Sequence, residues 1–208
     1  MTQALLAIAV FAFLVTSSVV EAASCKYTQN EIDSFTKEKI VTTQWISMSN
    51  VLGRAFKSMV DSQKKIAVAA TRNGDENFLS FKINMSRSAS RRPSQSTLRD
   101  ALWIPRESRV TVTMLDETMT DIFTVKDARG NTHSSYDGNA YVIETGIIVQ
   151  FQLDDDEISE LTEQGVTSLE FEANSSGVDF SDGGSLTFKV GRKGRDALQR
   201  ALNCVDQA

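Results

Sequence analysis

Asp154-Asp155-Asp156-Glu157 is the densest chemical signal in this sequence. Carboxylates in series can ligate a hard cation or divide acid and base roles between neighbours. This run also stands where Ile158 and Leu161 begin an apolar helical spacing. At such a place an N-cap Asp accepts orphan N–H groups, and further anions offset the positive end of the helix dipole. We therefore read the run as a helix start. Asp179-Phe180-Ser181-Asp182-Gly183 offers two carboxylates to Ca²⁺ but lacks the ligand spacing and terminal Glu of an EF-hand loop, and reads as a turn. His133 is the one histidine; it lies between turn signals, and no Gly-x-Ser-x-Gly elbow accompanies it. One His without a spare Cys makes no zinc site, so His133 is expected in a surface loop. No catalytic residue, metal or cofactor is assigned.

Gly191-Arg192-Lys193-Gly194-Arg195 is the basic counterpart. It falls between a strand and the first turn of a terminal helix, where unpaired N–H groups and the dipole favour anions. Three cations there oppose the dipole, which a bound phosphate, sulfate or carboxylate would offset. The expectation is a weak anion site at Gly191, Arg192, Lys193, Gly194 and Arg195. The alternative is a solvated helix start that Asp196 partly compensates. No Lys-Ser or Lys-Thr follows at Walker A spacing.

The elements that would position these groups are mostly strands. Alternating apolar residues mark strands at 65–70, 78–84, 109–115, 121–126, 167–173 and 185–190, with a longer extended run over 140–153. A first strand is expected within 39–48, after an ordered entry segment at 25–35. Arg72-Asn73-Gly74-Asp75 reads as a hairpin turn; Arg129-Gly130-Asn131-Thr132 and Asp137-Gly138-Asn139 read as two more turns. Helical spacing appears at 51–60, where a strand pair is the alternative, at 154–164, and after Gly194. Ala197, Leu198, Ala201, Leu202 and Val205 make one stripe of that last helix. Ser86 to Thr97 holds five Ser and three Arg around Pro93 and is expected as a flexible surface loop, whose Arg87, Arg91 and Arg92 could touch acidic lipid or a partner's carboxylates. Hairpin-length connections outnumber crossover helices. The fold class is α+β: mainly antiparallel sheet, a short helix near 154–164 and a C-terminal helix packed on the sheet.

With 208 residues and 41% hydrophobic content, the chain is the size of one domain. Ala4 to Val20 is an apolar run, and Val20-Glu21-Ala22 places small residues as a signal peptidase requires, although Met1-Thr2-Gln3 lacks a basic residue. Residues 1–22 are read as a signal peptide and 23–208 as a single globular domain; a membrane anchor is the alternative. Cys25 and Cys204 are the two cysteines. In an exported chain they are expected to bond, tying both ends to one core. A lipidated Cys25 is the competing possibility. A net charge of −5 makes nonspecific nucleic-acid binding a poor fit.

Cys25-x-Tyr27-x-x-Asn30-Glu31-x-Asp33-x-Phe35-Thr36-x-x-Lys39 resembles the start of a group of small exported bacterial proteins of unknown function. The strand, the amphipathic helix with paired Ala and Leu, and the closing cysteine resemble their far end. The resemblance covers about a fifth of the chain. It implies a single exported domain with a terminal disulfide, and no reaction. The expected function is an exported, non-catalytic α+β binding module, secreted or periplasmic, with no stable membrane span after signal cleavage. Its partner would be a protein or small ligand rather than nucleic acid. Two rivals remain open: a hydrolase whose acids meet only in the fold, and a small-ligand or lipid carrier with an apolar cavity.

Overall fold

A computed structural model describes residues 25–48, 62–174 and 184–207. The apolar leader, the 51–60 segment and the Asp179–Asp182 turn lie outside the described residues.

Strand periodicity sets the architecture. β1 (Tyr27–Ile32), β2 (Lys39–Thr43), β3 (Ile46–Ser47), β4 (Ser62–Asn73) and β5 (Glu76–Ala89) come first. After α1 (Gln95–Arg99) follow β6 (Trp103–Ile104), β7 (Arg109–Met114), β8 (Met119–Phe123), β9 (Ala128–Arg129), β10 (Asn131–Tyr136) and β11 (Tyr141–Leu153). Then come α2 (Asp155–Glu163), β12 (Val166–Glu172), β13 (Ser185–Lys189) and α3 (Arg192–Asp206). The named strand pairings are antiparallel. One sheet of seven strands runs β1-β2-β4-β5-β11-β10, with β3 also on β4, and curls into half a barrel. A second runs β13-β12-β7-β8, and β6 pairs with β9.

The long strands β4, β5 and β11 alternate as their sequences demand. Val68, Phe81, Ile83, Ile147, Val149 and Phe151 face inward and are fully buried. There they meet Phe171 of β12: Phe81 lies edge-on to Phe171 and to Phe151, with centroids 5.8 Å apart in each pair, and Phe188 of β13 lies edge-on to Phe171 at 5.7 Å. Such ring pairs add about 1 kcal/mol each beyond the area they bury. These rings occupy the space between the two sheets. α3 lays its stripe of Ala197, Leu198, Ala201, Leu202 and Val205, all buried, against β2, β3 and β4.

Three expectations are corrected. Ser86 to Ala89 continue β5, paired with Tyr141 to Glu144 of β11, and Gln95 to Thr97 open α1, capped by the Ser94 hydroxyl accepting from Thr97 N at 3.1 Å. The polar composition of 86–97 hid a strand extension, because the pairing is satisfied by backbone and needs no apolar side chain. Arg129 to Thr132 are extended rather than turned: Gly130 sits where a Cβ would come within 2.5 Å of Thr145 Oγ1, so the glycine serves close packing. His133 is on β10, not in a loop. The 72–75 hairpin forms, with Gly74 at φ +59°, and Asn73 pairs with Glu76 so that Gly74 and Asp75 make the turn.

Candidate functional site

The solvent face of the seven-stranded sheet carries the residues that alternate away from the core. Cross-strand pairing places them in rows. Ser86, Glu144 and His133 form one row across β5, β11 and β10. Lys65, Asn84, Gly146 and Asn131 form the next, from β4 to β10, followed by Ala67, Lys82 and Ile148. Gly146 leaves a gap in the middle row. Around it lies an open depression of about 540 Å³. Its floor is Gly146, and its rim includes Lys65, Lys82, Asn84, Asn131, His133 and Glu144.

A second depression, of about 480 Å³, lies over the other side of β10, which ends the sheet. α1 borders it. Its cations are Arg92 and Arg99, and Gln95, Thr132 and Ser134 supply amide and hydroxyl groups. His133 lines both depressions. The two together carry Lys65, Lys82, Arg92 and Arg99, all exposed, on a chain of net charge −5. Glu144 holds His133, Oε2 to Nε2 at 3.0 Å, and Asp100 holds Arg99, Oδ1 to Nε at 3.4 Å.

The row Ser86–Glu144–His133 has the residue types of a hydrolytic triad in the wrong order. Such a triad needs the imidazole between hydroxyl and carboxylate, so that one nitrogen takes the proton while the other is oriented. Here β11 puts Glu144 in the middle. The arrangement can hold and orient a ligand through charge and hydrogen bonds. It does not have the order of a hydrolytic triad.

The other sequence candidates find structural places. Asp154 caps α2: its Oδ1 accepts from Glu157 N at 2.8 Å, and Glu157 Oε2 accepts from Asp154 N at 2.9 Å, a reciprocal capping box. Burial pushes the Glu157 carboxyl above its ordinary range, against the lowering effect of that hydrogen bond. Among the described residues no group of three or more His, Cys, Asp or Glu is placed to hold a metal ion. In the 191–195 run, Gly191 is the N-cap of α3 and gives no side-chain cap. Gly194 is buried against Val190 and Met48, and Arg195 leans back to donate to the Val190 carbonyl at 3.4 Å. Arg192 and Lys193 remain exposed.

Cys25 and Cys204 are bonded, with Cα atoms 5.6 Å apart. The thiol that a lipid would need is taken up in that bond. No described helix is long and apolar enough to cross a membrane. The sequence reading missed Lys65, Lys82, Asn84 and Asn131 as a set, since they lie on three strands and only the register aligns them. The signal available was Gly146, a glycine interrupting an otherwise regular strand. No family model, curated protein or solved structure matches the chain.

Proposed function

We propose that this protein is an exported, non-catalytic binding module that works outside the cytoplasm. The observation that carries the reading is the pair of open depressions meeting at His133, rimmed by charged, amide and hydroxyl side chains, whose one Ser–Glu–His row lacks the order of a hydrolytic triad. Two further features support it. The Cys25–Cys204 bond suits an oxidising compartment. The aromatic packing between the sheets favours a ligand held on the surface over one carried in an interior cavity.

The test is fractionation of producing cells with thiols trapped by alkylation at lysis. The reading expects the protein in the periplasm or medium, shortened by about its apolar leader, with no alkylated cysteine. A cytoplasmic protein with both cysteines alkylated contradicts it.

A further inference from the structure

We infer that the two depressions together bind a linear acidic polysaccharide, laid across the strands from Lys65 over the β10 edge to Arg92 and Arg99. The inference rests on the binding-module reading and adds its ligand class. The cations are spaced along a path, not gathered at a point. The path runs from Lys65 on β4 to the β10 edge, three strand spacings or about 14 Å away, where Glu144 holds the His133 ring, and Arg92 and Arg99 extend the line beyond β10. A single phosphate would reach one pair, Lys65 with Lys82 or Arg92 with Arg99; a chain with repeated carboxylates reaches both pairs in turn.

Between the cations lie the groups that hydroxyls need. Asn84 and Asn131 flank the Gly146 floor, and Thr132 and Ser134 line the α1 side. Amides and hydroxyls both donate and accept, as sugar hydroxyls do. Ile148, 48% exposed beside Lys82, adds an apolar patch for a ring face. Neither depression is lined by Phe, Tyr or Trp, so the stacking platform of single-stranded nucleic acid is reduced on this path to the His133 imidazole, which Glu144 holds. Both are concave, whereas a flat anionic membrane calls for cations that protrude together.

The experiment titrates the disulfide-intact protein at low salt with polygalacturonate, with dextran as the neutral chain and polyglutamate as the acidic peptide. Polygalacturonate should bind, dextran should not, and polyglutamate should bind at least tenfold more weakly. Lys65→Ala/Lys82→Ala and Arg92→Ala/Arg99→Ala should each weaken polygalacturonate at least tenfold. Lys126→Ala/Arg200→Ala, which removes two exposed cations that line neither depression, should leave it unchanged. All six side chains are exposed, so unfolding curves should coincide with the wild type. Absence of polygalacturonate binding, equal binding of polyglutamate, or equal loss in all three double variants overturns the inference. An exported, oxidised chain that ignores polygalacturonate removes the ligand class alone; a cytoplasmic, reduced chain removes the reading beneath it.

Discussion

The phenol of Tyr27 donates a hydrogen bond to the backbone carbonyl of Cys204, 3.1 Å away. Cys25, two residues before Tyr27, bonds the same Cys204 through sulfur. Residues two apart on an extended chain point the same way, and the burial of 25–28 alternates accordingly. Cys25-x-Tyr27 is thus one device: both side chains close on the last turn of α3, one covalently and one at a carbonyl among the last four of the helix. The bond spans 179 residues. Its removal in a Cys25→Ser/Cys204→Ser variant should cost roughly 5 kcal/mol in urea unfolding, by loop entropy. Tyr27→Phe should cost about 1 kcal/mol in the oxidised protein. A reduced protein as stable as the oxidised one would contradict this account.

Gly194 lies inside α3, where Ala would ordinarily gain about 1 kcal/mol of helix propensity. Packing reverses the sign. A Cβ there would sit 2.8 Å from Val190 Cγ1 and 3.0 Å from the Met48 carbonyl oxygen, and the latter is backbone. Gly194→Ala should destabilise by about 1–3 kcal/mol, read as a lower urea midpoint at unchanged slope.

Gly146 behaves in the opposite way. Its added Cβ would meet only Asn84 Oδ1, at 3.0 Å, the far end of a side chain that can rotate. Gly146→Ala should hold or raise stability, by up to about 1 kcal/mol. The methyl fills the floor of the depression, so polygalacturonate affinity should fall severalfold. Loss of stability with unchanged affinity would assign Gly146 to packing alone.

Acid stability has two opposing parts. Backbone N–H groups of Thr36 and Phe35 hold the Asp33 carboxyl below its ordinary value; the Thr118 hydroxyl and N–H do so for Asp116, and the N–H groups of Ala140 and Asn139 for Asp137. Their stabilisation is full above the unfolded Asp value, about pH 3.9, and is lost as pH falls through the lowered folded values. Glu157 is raised, so its contribution is full below about pH 4.3 and is lost as pH rises through the folded value. Urea midpoints from neutral to strongly acid pH should therefore fall less steeply below about pH 4 in Asp33→Asn. Glu157→Gln should be less pH-dependent than the wild type above that point. Parallel profiles in all three proteins would contradict the assignment.

The sequence made the strands legible wherever one face is buried, because period-two alternation in β4, β5, β7, β11, β12 and β13 is forced by a one-sided core. The stripe of α3 and the Asp154 cap were legible for the same reason: each is a local pattern with a local cause. Ser86 to Ala89 were not, since a strand end held by backbone pairing leaves no hydrophobic trace. The candidate site was not legible either. Lys65, Asn84, Glu144 and His133 are polar residues on outward positions, and such positions look alike until register aligns them. Glycines misled in both directions: Gly130 marks close packing where a turn was expected, and Gly146 marks a depression within a strand.

The central claim, a ligand lying across β4, β5, β11 and β10, is tested most directly by backbone amide shifts in an NMR titration with oligogalacturonate. The account predicts the largest shifts at Asn84, Asn131, His133, Glu144 and Gly146, with a second group at 92–99, and little change at 192–195. Shifts confined to 192–195, or scattered without regard to the two depressions, would contradict it.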